Sequence, residues 1–222
     1  MSNAEYHLKK EYESSSSIRD ALLNPKKYIF RKTHETVPTK AMEEGTAVHT
    51  YFLENDLFKK NYVFKPKAFN GRTKEGKEWM QEHGHLNILS AEWEENLIQM
   101  NHNFLNSPAK FIYDKEGLAE LSYFWDDFGS IKGKCRPDWI SDDGNIVVDV
   151  KTTTDASPKG FQKSISTWGY HLQLGWYLRG LRKLGLPAKQ FIFIAIEKTA
   201  PFCVGVYRAD QEMINYAMKE LD

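Results

Sequence analysis

The stretch that most limits what this chain can fold into is KGKCRPDWISDDGNIVVDVKTTT, from Lys132 to Thr154. Ile146, Val148 and Val150 alternate with Val147, Asp149 and Lys151. A period of two therefore sets Asp149 and Lys151 on one face of a strand with an apolar face behind them. Upstream lies Asp142-Asp143-Gly144-Asn145, and Asp-Gly is a strong signal for a two-residue hairpin turn because both central positions of that turn take positive φ. With Asp143 and Gly144 as the turn, Asp142 faces Asn145, and counting back on both arms sets Asp138 opposite Asp149. Facing residues of an antiparallel pair hold their β-carbons roughly 4.5–5.5 Å apart. Two carboxylates at that separation repel unless a proton or a cation lies between them. A hard divalent ion such as Mg²⁺ answers that need with carboxylate and carbonyl oxygens, and Lys151 is then placed to position a water or offset negative charge. Pro137 cannot donate to a strand ladder, so an edge or a bulge is expected just before Asp138.

Asp138, followed eleven positions on by Asp149-Val150-Lys151, resembles the D…(D/E)-x-K core of the PD-(D/E)XK nuclease superfamily. Arg136-Pro137-Asp138, Val148-Asp149-Val150-Lys151-Thr152-Thr153 and Tyr170-His171-x-Gln173-x-x-x-Tyr177 narrow the resemblance to the exonuclease VIII (RecE) family of prophage recombination nucleases, in the RecB-like group. Gly45-Thr46-Ala47-Val48-His49 fits the histidine-bearing early helix of that group, and the likeness runs from about Ser14 to Arg208.

The resemblance implies an α/β fold: a PD-(D/E)XK nuclease core, its mixed central β-sheet flanked by helices, with an N-terminal helical segment. It implies a Mg²⁺ site, with Mn²⁺ able to substitute, held by Asp138, Asp149 and the carbonyl of Val150, with His49 and Glu120 completing or supporting it. It also implies that Lys151 orients the water, while Gln173 and Tyr177 orient Lys151 and the DNA backbone. The activity implied is exonucleolytic, degrading double-stranded DNA from an end, 5′ to 3′, and leaving single-stranded DNA for recombination. The partners implied are DNA ends, a single-strand annealing protein and further copies of the chain in a ring-shaped homo-oligomer. A structure- or sequence-specific endonuclease and a catalytically inactive DNA-binding module are the alternatives.

The remaining sequence is organised around that core. With 222 residues, 41% apolar and 14% aromatic, the chain has enough to bury one core, and a single domain over 1–222 is expected. No apolar run approaches the roughly 20 residues of a membrane span, and the N-terminus has no apolar signal core, so a cytoplasmic protein is expected. Cys135 and Cys203 lack metal-type spacing and are expected to be reduced. A formal net charge of +0 leaves DNA contact to local patches. Lys132, Lys134 and Arg136 alternate into one basic face that could follow a phosphate backbone. Arg72, Lys74 and Lys77 lie in a polar, basic stretch, 62–82, expected to be a mobile flap. By family likeness, Arg19, in a serine-capped helix before Pro25, could meet the DNA end.

Further expectations concern the larger elements. Residues 117–127 read as one strand with Glu120 as an acid among apolar neighbours. Residues 161–184 read as one helix, with Tyr170, Gln173 and Tyr177 on a single stripe. Residues 190–197 read as a buried central strand, followed by a strand over 202–207 and a helix over 210–221.

Overall fold

The computed structural model describes residues 1, 3–34 and 37–222. In chain order the helices and strands are α1 (Asn3–Leu8), α2 (Ser15–Leu23), α3 (Pro25–Thr33), α4 (Lys40–Leu53), α5 (Asn55–Asn61), β1 (Tyr62–Phe64), α6 (Lys74–His83), β2 (Asn87–Leu89), α7 (Ala91–Leu105), α8 (Phe111–Asp114), β3 (Gly117–Ala119), β4 (Tyr123–Asp126), β5 (Lys132–Cys135), β6 (Trp139–Ser141), β7 (Ile146–Thr153), α9 (Pro158–Trp168), α10 (Tyr170–Lys183), β8 (Gln190–Glu197), β9 (Val204–Arg208) and α11 (Gln211–Leu221).

The main sheet has the order β3-β6-β7-β8-β9, in which β7 and β8 are parallel and the other neighbours antiparallel. A parallel pair needs a crossover, and α9 and α10 supply it. The period-two pattern of β7 explains how this sheet is clad. Val147 packs with Phe191, Phe193 and Ala195 against residues of α9, α10 and α11, while Val148 and Val150 pack with Ile194 and Ile196 against residues of α4 and α7. Helices thus cover both faces of a mixed sheet, as the α/β expectation requires.

Gly169, at φ +66, ends α9 in a left-handed cap whose N–H donates to the Ile165 carbonyl. The expected single helix over 161–184 is therefore two helices with a bend between them. The expected flap at 62–82 is corrected as well, since it contains β1, which pairs with β2, and α6, capped by the Thr73 side chain. The serine-capped start is found as expected: Ser14 caps α2, and Asn24 with Pro25 opens α3.

The turn between β6 and β7 is wider than a two-residue connection. The Gly144 N–H donates to the Ser141 carbonyl (2.7 Å), the Asp143 carboxylate accepts from the Asn145 N–H, and among the two central residues only Gly144 takes a positive φ, +66. The register is unchanged: Trp139 pairs with Val148 and Ile140 with Val147, so the next position along sets Asp138 across from Asp149.

Candidate active site

Two strands that read as continuous are each broken, and the breaks build the site. The expected strand over 117–127 divides at Glu120 into β3, which joins the main sheet, and β4, which pairs with β5 in a two-stranded sheet. The first arm of the hairpin divides at Arg136-Pro137-Asp138 in the same way, into β5 and β6. Pro137, without an N–H, sits where the chain changes sheets. The two crossings run side by side, with the Glu120 N–H donating to the Asp138 carbonyl (3.2 Å) and Glu120 at φ +55. Strand β7 continues to Thr153, but its pairing with β6 ends at Val148. Past that point the Val150 N–H donates to Asp138 Oδ2 (2.5 Å) in place of a neighbouring strand.

Asp149 is 1% exposed. Lys151 Nζ lies 2.6 Å from its Oδ2, and Gln173 Nε2 donates to its Oδ1 at 2.5 Å. Burial pushes the Asp149 carboxyl up to about 6 against the pull of Lys151. Burial also works against the Lys151 ammonium, but Asp149, and then Asp138 and Tyr170, outweigh it and hold the lysine charged. The ammonium stands 4.7 Å from the centroid of the Tyr170 ring. Gln173 also donates to the Tyr177 hydroxyl (3.1 Å), which donates to the Arg136 carbonyl (3.3 Å). The stripe of Tyr170, Gln173 and Tyr177 thus faces the site: Gln173 bonds to Asp149, which pairs with Lys151, and Tyr177 bonds to Gln173.

His49 approaches from α4, with Nδ1 3.4 Å from Asp138 Oδ1. Burial opposes a charge on either group, yet the pair overcomes it: Asp138 is held below the usual carboxylate range and His49 is raised. Glu120 behaves oppositely, pushed up to about 7 by burial and by Asp138 despite Arg136. Ligand atoms of His49, Glu120 and Asp138 lie within 4.8 Å of one another. Two carboxylates and an imidazole so close, one of the acids driven towards protonation, form a donor set that suits a divalent cation. Asp149 stands beside this group with an oxygen committed to each of Gln173 and Lys151.

The group opens into a cleft of about 680 Å³ lined also by Asn3, Tyr6 and His7 of α1, Gly45 of α4, Lys151 and Tyr177. Four basic residues expected at a DNA surface, Arg19, Arg72, Lys74 and Lys77, are absent from that lining. Arg19 donates to the Trp168 carbonyl, Arg72 sits in the turn before α6, and Lys74 lies 3.8 Å from Glu78. Of the expected basic face Lys132 is exposed, but Lys134 is buried, with Nζ donating to the Tyr6 and Lys9 carbonyls, and Arg136, just past β5, pairs with Glu120 at 2.8 Å. Missed in the sequence were the wall formed by α1 and the Arg136–Glu120 pair. The available signal was an arginine two residues before Asp138 and a lone acid in an apolar stretch.

Cys135 and Cys203 are free thiols. Among the described residues no helix is long and apolar enough to cross a membrane.

A family model described as a PDDEXK-like domain of unknown function, DUF3799, matches residues 14–222. No curated protein matches the sequence. Among solved structures, a provisionally named exonuclease from Eubacterium rectale superposes with a TM-score of 0.72 at 18% identity, covering 100% of this chain and 83% of that one. A phage-related exonuclease from Haemophilus somnus 129PT gives a TM-score of 0.42 at 14% identity, covering 98% of this chain and 93% of the other. The first of these likenesses is one of fold.

Proposed function

The chain belongs to the PDDEXK-like domain family DUF3799, and from that premise we propose that it is a divalent-metal-dependent deoxyribonuclease acting on duplex DNA from an end. One observation carries the reading: Asp138 and Asp149 come from facing positions of β6 and β7 into one buried site, with the Lys151 ammonium 2.6 Å from Asp149 and a histidine and a glutamate gathered on Asp138. The exonuclease name of the Eubacterium rectale structure, which is similar in fold, agrees with the proposed reaction.

His49, Glu120 and Asp138 would hold the cation, and the RecE likeness implies that Asp149 and the Val150 carbonyl hold it with Asp138. When bound, Mg²⁺ or Mn²⁺ would supply a Lewis acid for the scissile phosphate and acidify a water. The chain's own groups do the rest. Lys151, held between Asp149 and the Tyr170 ring, orients the attacking water and offsets charge building on the phosphoryl oxygens. Gln173 and Tyr177 keep Asp149 in place. The water gives up a proton to solvent as its oxygen bonds to phosphorus and the bond to the 3′ oxygen breaks; the departing oxygen takes a proton from solvent, and a 5′-phosphorylated nucleotide is released. A 5′ to 3′ direction, a ring-shaped oligomer and an annealing partner for the remaining strand complete the proposal.

The test is degradation of linear duplex, closed circular duplex and single-stranded DNA by the purified chain in Mg²⁺ and in Mn²⁺. Mononucleotides from the linear duplex, an intact circle, and loss of activity in Asp138→Asn are expected. Cutting of the circle would replace this reading with an endonuclease. DNA retained in a shift assay without nucleotide release in either metal would replace it with a binding module.

A further inference from the structure

Arg136 is engaged in the site in a way that a phosphate contact does not explain. Its side chain is 9% exposed, its Nε lies 2.8 Å from Glu120 Oε2 as an ion pair, and among the described residues neither the buried Nε nor the buried Nη1 has a hydrogen-bond partner. The Tyr6 ring covers it, with the guanidinium carbon 5.9 Å from the ring centroid. Tyr6 belongs to α1, which Lys134 fastens through the Tyr6 and Lys9 carbonyls (2.8 Å each), and α1 lies outside the residues matched by the family model.

Glu120 needs such a partner. It holds a left-handed backbone conformation that L-residues rarely adopt, φ +55, and its carboxylate is largely buried beside that of Asp138. Strain and like-charge repulsion both favour turning that side chain away. The guanidinium opposes them, and its place two residues before Asp138, on the parallel crossing between sheets, keeps it in register with the acid it holds.

We propose that Arg136 is a positioning residue: closed in by Tyr6, it fixes the Glu120 carboxylate within reach of His49 and Asp138, so that the cation site exists before the cation arrives. This rests on the metal-dependent reading given above. An arginine that was only a neighbouring positive charge would have the opposite signature, because removing it would tighten cation binding.

Calorimetric titration of the full chain with Mn²⁺ decides between them, using wild type, Arg136→Gln, Arg136→Lys, Glu120→Gln and the Glu120→Gln/Arg136→Gln double variant, each checked for folding by circular dichroism. Arg136→Gln should weaken Mn²⁺ binding on the order of 10–100-fold, as losing the partner of a metal ligand typically does. Arg136→Lys should recover part of the loss, and Arg136→Gln should add nothing once Glu120 is neutral. Unchanged or tighter binding in Arg136→Gln, or a loss that multiplies with that of Glu120→Gln, overturns the role. Should Arg136→Gln fail to fold, Arg136→Lys decides alone, with weaker binding than wild type expected and equal or tighter binding overturning it. A wild-type chain that takes up no Mn²⁺ sinks the metal-dependent reading itself; wild-type uptake with indifferent Arg136 variants sinks only the positioning role.

Discussion

Replacing Lys151 by methionine should destabilise the metal-free protein in a way that depends steeply on pH. Asp149 is 1% exposed and already stands at about 6, against an unfolded value near 3.8, with the ammonium 2.6 Å away. A carboxyl whose folded pKa is raised contributes stability below its unfolded pKa and loses it as pH rises through the folded value. Without the ammonium the folded value must climb further. Buried acids without a counter-ion shift by about 3–5 units in all, so a further rise of about 2 units is reasonable. At about 1.4 kcal/mol per unit, and with the carboxyl only half ionised at pH 8, Lys151→Met should cost about 2 kcal/mol more at pH 8 than at pH 5. The contact with Tyr170, 4.7 Å from ammonium to centroid, adds a loss of about 1 kcal/mol that does not vary with pH in this range.

Urea denaturation in EDTA at pH 5 and pH 8 measures both parts. The Asp149→Asn/Lys151→Met variant removes the orphaned charge and should show only the pH-independent part. An equal cost for Lys151→Met at the two pH values, or a double variant as unstable as the single one at pH 8, would refute the argument that this pair is held together by mutual charge compensation.

Two further outcomes follow from the packing of α10. Gln173→Glu replaces the donor on Asp149 Oδ1 with a second carboxylate, so it should melt lower than wild type at pH 8 by about 1–3 kcal/mol of stability and lose nuclease activity; an unchanged melt in EDTA would show that the 2.5 Å contact carries no weight. Gly180→Ala would bring a β-carbon within 2.4 Å of the Trp125 ring, so α10 must move away from β4, at a cost of about 1–3 kcal/mol. Chemical denaturation measures that cost, and a variant as stable as wild type would show that Trp125 can turn aside freely.

What the sequence disclosed and what it hid divide along physical lines. The alternation in β7 and the Asp-Gly turn residues are local, and they sufficed to put Asp138 across from Asp149 even though the turn itself is a four-residue connection. Pro137 marked its strand break because a missing N–H is visible in one letter. The break at Glu120 had no such mark: its φ of +55 is imposed by the neighbouring crossing, and nothing in GLAELSYFW announces it. The polar stretch around α6 looks like a loop because an exposed helix and a solvated loop share a composition; the cap that Thr73 supplies to α6 is visible only in the structure. Lys134 and Arg136 read as an outward basic face because burial by α1 is a contact between residues more than a hundred apart in the chain.

Why the chemistry gathers at this place follows from the unequal lengths of two strands. Strand β7 runs eight residues, and β6 accompanies it for only part of that distance before the chain leaves for the small sheet. An N–H left unpaired in a buried position has to be satisfied, and the Asp138 carboxylate does this for Val150, which fixes that acid at the notch. The neighbouring crossing is bound to it by the Glu120 N–H and brings a second carboxylate; α4, packed on the same side of β7, brings His49. From the other face α10 supplies the amide and the aromatic ring that hold Asp149 and Lys151. The acids are therefore held close by backbone requirements that have nothing to do with catalysis, and their mutual repulsion is what makes a cation at the notch favourable. Lengthening β6 by restoring an N–H donor at position 137 would act against that arrangement only if the extended strand could also satisfy Val150, and the Asp138 carboxylate already occupies that hydrogen bond.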